Sequence, residues 1–275
     1  MSGPAIGVFD SGVGGLSILR EIQKQHPNEP LCYFADQAHV PYGPRSLEQV
    51  RQFSLGITRF LLDQPCKLLV VACNTASAAA LHHLRRSFPS TPFVGMEPAV
   101  KPAAELSQSR RVAVLATPAT FQGELFASVI ERFAQGVEVI QIILPGLVER
   151  IEAGDLGGVE TRAILEAGLR PITGQGVDTL VLACTHYAFV IPLLEELVGP
   201  SVRVIDPAPA IARQTGRLLT TYKLAAASEA SGSARFVTSG DPLAFRSAVA
   251  KLLRNSPSVE RARWDDSVLV GGDGE

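Results

Sequence analysis

No stretch of the sequence approaches the ~18 consecutive apolar residues that a membrane-spanning helix needs. The first ten residues contain no Lys or Arg, so they lack the basic start of a secretory signal. Neither sign of charge dominates, because 25 Lys and Arg stand against 27 Asp and Glu. Such a balance lacks the excess of basic residues that typically binds nucleic acid or an anionic membrane. We therefore expect a cytoplasmic protein with no nucleic-acid and no membrane partner.

Cysteine is also scarce, with 4 residues among 275 and none in a CxxC pair. A chain of this length buries enough core to fold without disulfides, so free thiols are expected. Cys32 falls inside a predicted strand and Cys66 in a predicted loop, and we interpret both as packing residues. The pair Cys184 and His186 lacks two further ligands at a recognisable spacing, so no metal site is predicted.

Short apolar runs alternate with amphipathic helix patterns along nearly the whole chain. Residues 68–72 (Leu-Leu-Val-Val-Ala) are apolar on both faces, which is typical of a parallel sheet covered by helices on each side. Ser46 followed by Gln49 predicts a capping box at the start of a helix. The strands are predicted at residues 5–9, 31–34, 67–72, 93–95, 112–116, 138–143, 179–183, 203–205 and 236–238.

Two segments of the sequence recur in the same order. Residues 69–76 resemble residues 180–187, and residues 6–11 resemble residues 112–117 at nearly the same separation. The repeat predicts an α/β fold of two pseudo-symmetric, doubly wound lobes with mainly parallel sheets and an active site at their interface. Residues 1–97 and 208–275 are assigned to the first lobe and residues 98–207 to the second. Residues 225–234 are predicted to form a surface loop, and the chain from about residue 255 a loose tail.

Polar side chains and thiols follow four of the predicted strands. Ligands of parallel sheets bind at the carboxyl ends of the strands, so these residues are site candidates. Each thiol among them also begins a helix, where free amide groups lower a thiol's pKa and favour carboxylates. These features suit a site that deprotonates an anionic substrate. The candidates are Asp10 and Ser11 after the first strand, Cys73, Asn74 and Thr75 after the third, Thr117 after the fifth, and Cys184, Thr185 and His186 after the seventh.

Residues 12–15 (Gly-Val-Gly-Gly) form a glycine-rich segment that does not match a nucleotide-binding loop. The dinucleotide pattern would need glycine where Ser17 stands, and no Gly-Lys-Ser/Thr follows. We interpret the glycines as a tight turn that lets backbone amides approach a small ligand such as a carboxylate. The alternative is a plain glycine-rich turn with Asp10 as its cap.

Six blocks of the sequence, in order, resemble the bacterial glutamate racemases. The resemblance extends from about residue 5 to about residue 253. It implies a cofactor-independent enzyme of two pseudo-symmetric lobes that acts on glutamate and makes D-glutamate for peptidoglycan. The blocks are residues 10–15 (DSGVGG), 41–43 (PYG), 73–76 (CNTA), 95–102 (GMEPAVKP), 184–187 (CTHY) and 206–207 (DP).

The resemblance also implies roles for particular residues. Cys73 and Cys184 would be the two acid/base groups, Cys73 acting on D-glutamate and Cys184 on L-glutamate. Asp10 and His186, each near one thiol, would orient that thiol or exchange protons with it. Thr117 joins the substrate site because of its strand-end position. The residues implied to line that site are Asp10, Ser11, Tyr42, Gly43, Asn74, Thr75, Thr185 and His186.

Racemisation explains why two thiols would be needed. The enantiomers of an amino acid present the α-hydrogen on opposite faces of one carbon, so a base must act on one face and an acid on the other. Three alternatives remain open on sequence: an aspartate racemase, a hydantoin racemase, and a two-lobed protein that binds a dicarboxylate without converting it. A homodimer remains open beside a monomer.

Overall fold

The computed structural model describes residues 3–227 and 232–271. The described chain alternates strands and helices from its first strand onward. The strands are β1 Ala5–Asp10, β2 Leu31–Ala35, β3 Cys66–Val71, β4 Phe93–Gly95, β5 Arg111–Ala116, β6 Glu138–Ile142, β7 Thr179–Ala183, β8 Arg203–Ile205, β9 Ala234–Thr238, β10 Val259–Asp265 and β11 Val268–Gly271.

The helices occupy most of the segments between the strands. Among the described residues, no helix is both long and apolar enough to cross a membrane. Two 3-10 helices, Arg170–Ile172 and Thr185–Val190, accompany the α-helices. The α-helices are α1 Leu16–Gln25, α2 Leu47–Asp63, α3 Asn74–Ser87, α4 Val100–Leu106, α5 Pro118–Gln122, α6 Glu124–Phe133, α7 Leu147–Glu152, α8 Val159–Leu169, α9 Ile191–Val198, α10 Ala208–Thr221 and α11 Pro242–Leu253.

Two sheets organise the molecule. The larger has the strand order β11-β10-β9-β2-β1-β3-β4, and the smaller has the order β6-β5-β7-β8. The run β2-β1-β3-β4 therefore matches β6-β5-β7-β8 strand for strand, and every pairing in both runs is parallel. The predicted α/β class with two pseudo-symmetric, mainly parallel lobes is confirmed. The lobe boundaries proposed at residues 97 and 207 stay a prediction.

The central strands are buried on both faces, as their continuous apolar sequences predict. Along β3, Leu68 and Val70 join one hydrophobic cluster while Leu69 and Val71 join another on the opposite face. This alternation is the period of two of a strand whose sheet is covered by helices on each side. Leu180 of β7 belongs to the same cluster as Leu68, so one core is shared by both lobes.

The nine predicted strands are confirmed, with ends displaced by no more than two residues. The predicted capping box is also present, since Ser46 Oγ accepts a hydrogen bond from the Gln49 amide at 3.2 Å and the Gln49 side chain binds back. The loop prediction for Cys66 is wrong. Cys66 opens β3 because β1 already pairs there: the Ala5 amide donates to the Pro65 carbonyl at 2.8 Å.

The predicted loop at residues 225–234 ends earlier than expected, because Ala234 already begins β9. Its residues 228–231 lie outside the described part of the chain.

The prediction of a loose tail from residue 255 is also wrong. Residues 259–271 form the hairpin β10–β11, and β10 pairs in parallel with β9. The two-residue turn begins at Asp266, which adopts a left-handed backbone with φ of 50°. Ala262 and Leu269 are buried against α2, but charged neighbours interrupt the apolar pattern, so the sequence signal was weak. Residues 272–275 of the predicted tail lie outside the described residues.

Candidate active site

The carboxyl ends of β1, β3, β5 and β7 meet at a small cavity that both lobes line. Every residue predicted for the substrate site lines it except Asp10, which lies behind Ser11 and Thr185 and is fully buried. Pro41 and Val148 are additional lining residues that the sequence analysis did not select. The lining residues are Ser11, Pro41, Tyr42, Gly43, Cys73, Asn74, Thr75, Thr117, Val148, Cys184, Thr185 and His186.

Cys73 links β3 to α3 and caps that helix. Its extended backbone lets Sγ turn back and accept a hydrogen bond from the Ala76 amide at 3.4 Å. Burial is the main cause that raises the pKa of the Cys73 thiol well above its usual value, and the charge of Asp10 raises it further. The Ala76 amide lowers this pKa as expected, but desolvation outweighs that hydrogen bond, so the pKa of the thiol is raised overall and not lowered.

Cys184 occupies the equivalent position after β7, but its surroundings differ. A 3-10 helix, Thr185–Val190, follows it instead of an α-helix, and within the described part of the chain no backbone amide caps its side chain. Its side-chain partner is the imidazole of His186, with Nδ1 3.9 Å from Sγ. The second thiol therefore has a side-chain partner where the first has a backbone one.

His186 pairs with Glu152, the last residue of α7. Nε2 of the imidazole lies 2.6 Å from Oε1 of the carboxylate. Burial opposes a charged imidazole, but the hydrogen bonds to Cys184 and Glu152 prevail and raise the pKa of His186 well above its ordinary value. Burial also works against the carboxylate, yet the His186, Val13 and Gln37 donors lower the pKa of Glu152. The arrangement is an imidazolium–carboxylate pair next to a thiol.

The glycine-rich turn packs against this pair. The Val13 amide donates to Glu152 Oε1 at 2.8 Å. A Cβ at Gly12 would collide with the Glu152 carboxylate, and a Cβ at Gly14 with the His186 ring. The interpretation of a ligand-binding turn is therefore corrected: the carboxylate that its amide meets is the chain's own. None of residues 12–15 is among the described residues that line the cavity.

Asp10 connects the two lobes beneath the cavity. Its Oδ2 accepts a hydrogen bond from Thr185 Oγ1 at 2.8 Å, and its Oδ1 accepts one from Ser11 Oγ at 3.0 Å. Burial raises the pKa of the Asp10 carboxyl, although His186 and these hydrogen bonds oppose the shift. A buried carboxyl with a raised pKa next to a thiol can hold or release a proton.

Asn74 is the polar residue of the cavity that most needs a ligand. Its side chain is buried, and neither Oδ1 nor Nδ2 has a hydrogen-bond partner among the described residues. An unpaired buried amide costs about 1–3 kcal/mol, so a ligand that both donates and accepts would stabilise it. An amino acid has both an ammonium and a carboxylate group.

A cluster of threonine hydroxyls lies beside Asn74. Thr75 Oγ1 is 2.8 Å from Thr117 Oγ1, and Thr120 Oγ1 is 3.0 Å from Thr117 Oγ1. Thr117 also caps α5, so its position is fixed by the backbone. Hydroxyl groups from both lobes therefore meet on one side of the cavity.

Comparison with known proteins identifies the family. The Asp/Glu/Hydantoin racemase family matches residues 6–215. The chain belongs to this racemase family. It is 55% identical to the glutamate racemase of Pseudomonas aeruginosa over 86% of this chain and 89% of that protein. It is 46% identical to the glutamate racemase of Roseiflexus sp. over 94% and 95%, respectively. The predicted resemblance and the assignment as a racemase are confirmed.

Solved structures of the family share the whole architecture of this racemase. The glutamate racemase of Bacillus anthracis superposes with a TM-score of 0.86 at 32% identity, covering 98% of this chain and 100% of that one. The Escherichia coli glutamate racemase, solved with L-glutamate and an activator, has a TM-score of 0.83 at 31% identity with the same coverage. The Francisella tularensis glutamate racemase, solved with D-glutamate, has a TM-score of 0.83 at 30% identity, covering 95% and 98%.

The main residue that the sequence analysis of this racemase missed is Glu152. It lies in none of the six motif blocks and ends a helix of six residues, so no spacing links it to His186. Thr120 was missed for a different reason, since it lies inside α5 one turn beyond the selected Thr117. A search for acidic residues on helices near the strand ends would have found Glu152 only among many others.

The racemase cavity offers few groups that could hold a metal ion. Within residues 3–227 and 232–271, no group of three or more His, Cys, Asp and Glu side chains is arranged to bind one. The groups that the cavity presents for chemistry are two thiols, an imidazole, an unpaired amide and several hydroxyls.

Proposed function

We propose that this chain interconverts L- and D-glutamate by two-base proton transfer at the α-carbon, with Cys73 and Cys184 as the two bases. The D-glutamate would supply peptidoglycan synthesis in the cytoplasm. One observation carries the mechanism: two thiols that follow equivalent strands of the two lobes line the same cavity. The names of the sequence relatives support glutamate as the substrate.

The pseudo-symmetry of the lobes suits the stereochemistry. Cys73 reaches the cavity from the end of β3 and Cys184 from the end of β7, so each can serve one face of the α-carbon. In one direction the Cys73 thiolate removes the α-proton of D-glutamate while the Cys184 thiol donates its proton to the opposite face. In the other direction the roles exchange, and the proton taken from L-glutamate remains on Cys184.

Removing the α-proton of the substrate adds a second negative charge, which is shared between the α-carbon and its carboxylate. Fixed donors must stabilise that charge, and each donor aimed at a developing oxyanion contributes about 3 kcal/mol. We assign this role to the Asn74 side-chain amide, to the backbone amides of Thr75 and Thr185, and to the Thr75 hydroxyl, all of residues that line the cavity. The unpaired Asn74 side chain supports the assignment, because a bound glutamate would supply its missing partners.

In this proposal each thiol exchanges protons with a different neighbouring side chain. Asp10, whose pKa is raised by burial, lies close enough to Cys73 for its charge to act on the thiol and exchanges a proton there. His186, held protonated by Glu152, stabilises the Cys184 thiolate and returns a proton to it. Ser11, Tyr42, Gly43 and Thr117 complete the substrate site.

The experiment that tests the proposal measures solvent exchange. The protein is incubated with each enantiomer of glutamate in deuterium oxide, and deuterium at the α-carbon is followed in product and in recovered substrate. Two bases predict deuterium in the product while unreacted substrate keeps its protium early in the reaction. Rapid labelling of recovered substrate without inversion would instead indicate one shared base.

Parallel assays distinguish the substrate alternatives. Conversion of aspartate but not of glutamate would overturn the proposed substrate. Binding of glutamate without conversion would identify a dicarboxylate-binding protein. A Cys73→Ser, Cys184→Ser double variant that still racemises glutamate would refute the acid/base roles of the two thiols.

A further inference from the structure

The C-terminal hairpin β10–β11 lies beyond the family match, which ends at residue 215. It packs on α2 through Ala262 and Leu269, both buried in the same hydrophobic cluster as α2. Gly56 of α2 leaves room for the Trp264 ring, because a Cβ there would be in close contact with the indole. The hairpin is therefore held at a defined place on the first lobe, outside the cavity.

Trp264 makes one polar contact that ordinary packing does not require. Its Nε1 donates a hydrogen bond to Oδ1 of Asp36 at 2.7 Å. Asp36 is fully buried, and Ser239 Oγ donates to the same oxygen at 2.7 Å. A buried carboxylate needs its donors in place, so the indole N–H helps to fix the orientation of this carboxylate.

The other oxygen of Asp36 holds the wall of the cavity. Tyr42 Oη donates to Oδ2 at 2.6 Å, and Nδ1 of His39 lies 2.9 Å from the same atom. Tyr42 and Gly43 line the cavity, whereas Trp264 and Asp36 are not among the residues that line it. The contacts thus run from the hairpin through one carboxylate to the residues that face the substrate.

Aromatic contacts reinforce the same path. The His39 ring stacks on Phe53 of α2 with centroids 3.8 Å apart, and the Trp264 ring meets His39 edge-on at 5.3 Å. Phe53 also contacts the Tyr42 ring, at 5.7 Å. Loss of the hairpin contact would therefore free the Asp36 carboxylate and the rings that surround the Tyr42 side chain.

We propose that Trp264 is a positioning residue, through which the C-terminal hairpin fixes Asp36 and thereby the Tyr42–Gly43 wall of the substrate cavity. This inference rests on the proposed racemase function, because its effect is read in glutamate binding. The residue acts on the shape of the cavity and not on proton transfer. Its loss should therefore change KM and leave kcat nearly unchanged.

The test begins with Trp264→Phe, which keeps an aromatic ring against Gly56 but removes the N–H donor. We expect KM for glutamate to rise about fivefold, because only part of the free energy of the lost hydrogen bond is transmitted to the substrate site, with kcat within about twofold of wild type. The matched control is Leu269→Val, which weakens hairpin packing without touching Asp36. It should lower the thermal midpoint and leave KM unchanged.

A double-mutant cycle shows whether Trp264 acts through the Tyr42 contact. Tyr42→Phe removes the hydroxyl that Asp36 holds and should itself raise KM. If the two residues act in series, the Trp264→Phe, Tyr42→Phe double variant has the KM of Tyr42→Phe alone. Trp264 is the single tryptophan of the chain, so its fluorescence emission verifies that the hairpin stays in place in Tyr42→Phe and Leu269→Val.

Three outcomes overturn the inference while leaving the proposed function intact. One is a wild-type enzyme that racemises glutamate and a Trp264→Phe variant with unchanged KM. Another is a double variant whose KM is the product of the two single effects. The third is a Leu269→Val variant whose KM rises as much as that of Trp264→Phe. Absence of racemisation in the wild-type protein would instead refute the proposed function itself.

Discussion

The surroundings of Cys73 and Cys184 differ although the two thiols occupy equivalent places in the two lobes. Cys73 caps an α-helix, accepts a backbone hydrogen bond and lies close to the buried Asp10. Cys184 begins a 3-10 helix and faces the charged pair of His186 and Glu152. The repeated strand order therefore supplies symmetric positions, while side chains that differ between the repeats, Asp10 and His186, together with Glu152 give the two proposed acid/base groups different surroundings.

Replacing either thiol should have the largest effect, because in the proposed mechanism each is the base in one direction and the acid in the other. We expect Cys73→Ser and Cys184→Ser each to lower kcat by about 10³-fold or more in both directions, measured by circular dichroism. Cys32→Ser is the matched control, since Cys32 is buried outside the cavity, and it should keep full activity. A single variant that keeps a kcat near that of the wild-type protein would contradict the exchange of roles.

Glu152→Gln should slow proton transfer by Cys184 and leave proton transfer by Cys73 unaffected. The neutral amide no longer holds His186 as an imidazolium, so we expect kcat to fall about 10- to 100-fold. Because the equilibrium constant of a racemisation is one, kcat/KM must fall equally for both enantiomers. The difference between the Cys184 and Cys73 steps should instead appear in the primary isotope effect. This effect should increase more with α-deuterated L-glutamate than with α-deuterated D-glutamate.

The control for this variant is Glu149→Gln, an exposed residue on the same helix. It should leave both the rate and the isotope effects unchanged. Equal growth of the isotope effect for the two enantiomers of glutamate would show that Glu152 serves both thiols.

The pH dependence of kcat/KM should reflect the ionisation of Cys73. The proposed mechanism needs the thiolate form of Cys73. Because burial and Asp10 raise the pKa of this thiol, kcat/KM should increase with pH into the alkaline range. Asp10→Asn removes the negative charge that contributes to this rise in pKa. Its profile should therefore begin to increase at a lower pH, at a reduced maximal rate. A profile that keeps its position would disprove electrostatic coupling between Asp10 and Cys73.

The smallest effect is expected from Thr120→Val, which removes one hydroxyl from the threonine cluster beside Asn74. The loss of its hydrogen bonds to Thr75 and Thr117 should destabilise the fold by about 1 kcal/mol, measured by denaturant unfolding. The rate should change by less than about threefold, because Thr120 is not among the residues that line the cavity. A larger loss of rate would mean that the cluster orients the substrate directly.

Most of the site was predictable because parallel strands bring their carboxyl ends together. Once β1, β3, β5 and β7 were placed, residues such as Cys73 and Thr185 had to approach one another, and the internal repeat selected the two thiols. Glu152 was not predictable in this way. Its contact with Val13 depends on how α7 packs against the glycine-rich turn of the other lobe, and no local pattern encodes that packing.

Two further differences between the sequence-based predictions and the structure have physical causes. The hairpin β10–β11 buries only Ala262 and Leu269 fully, so alternation was too weak to indicate strands. The direction of the Cys73 pKa shift depends on desolvation by the assembled cavity, which outweighs the local helix terminus that the sequence reveals. The positions of residues at parallel strand ends could therefore be predicted, whereas a hairpin with weak alternation and a pKa set by desolvation could not.

The hydrogen bond from the Val13 amide to Glu152 ties proton affinity to the distance between the lobes. Val13 follows β1 in one lobe, while Glu152 ends α7 in the other, and this donor helps to lower the pKa of the carboxylate. Any movement that parts the lobes to admit a ligand removes the donor, and Glu152 then holds a proton more tightly and supports the His186 charge less. Contact between the lobes at Val13 therefore favours the charged imidazolium that lies next to Cys184.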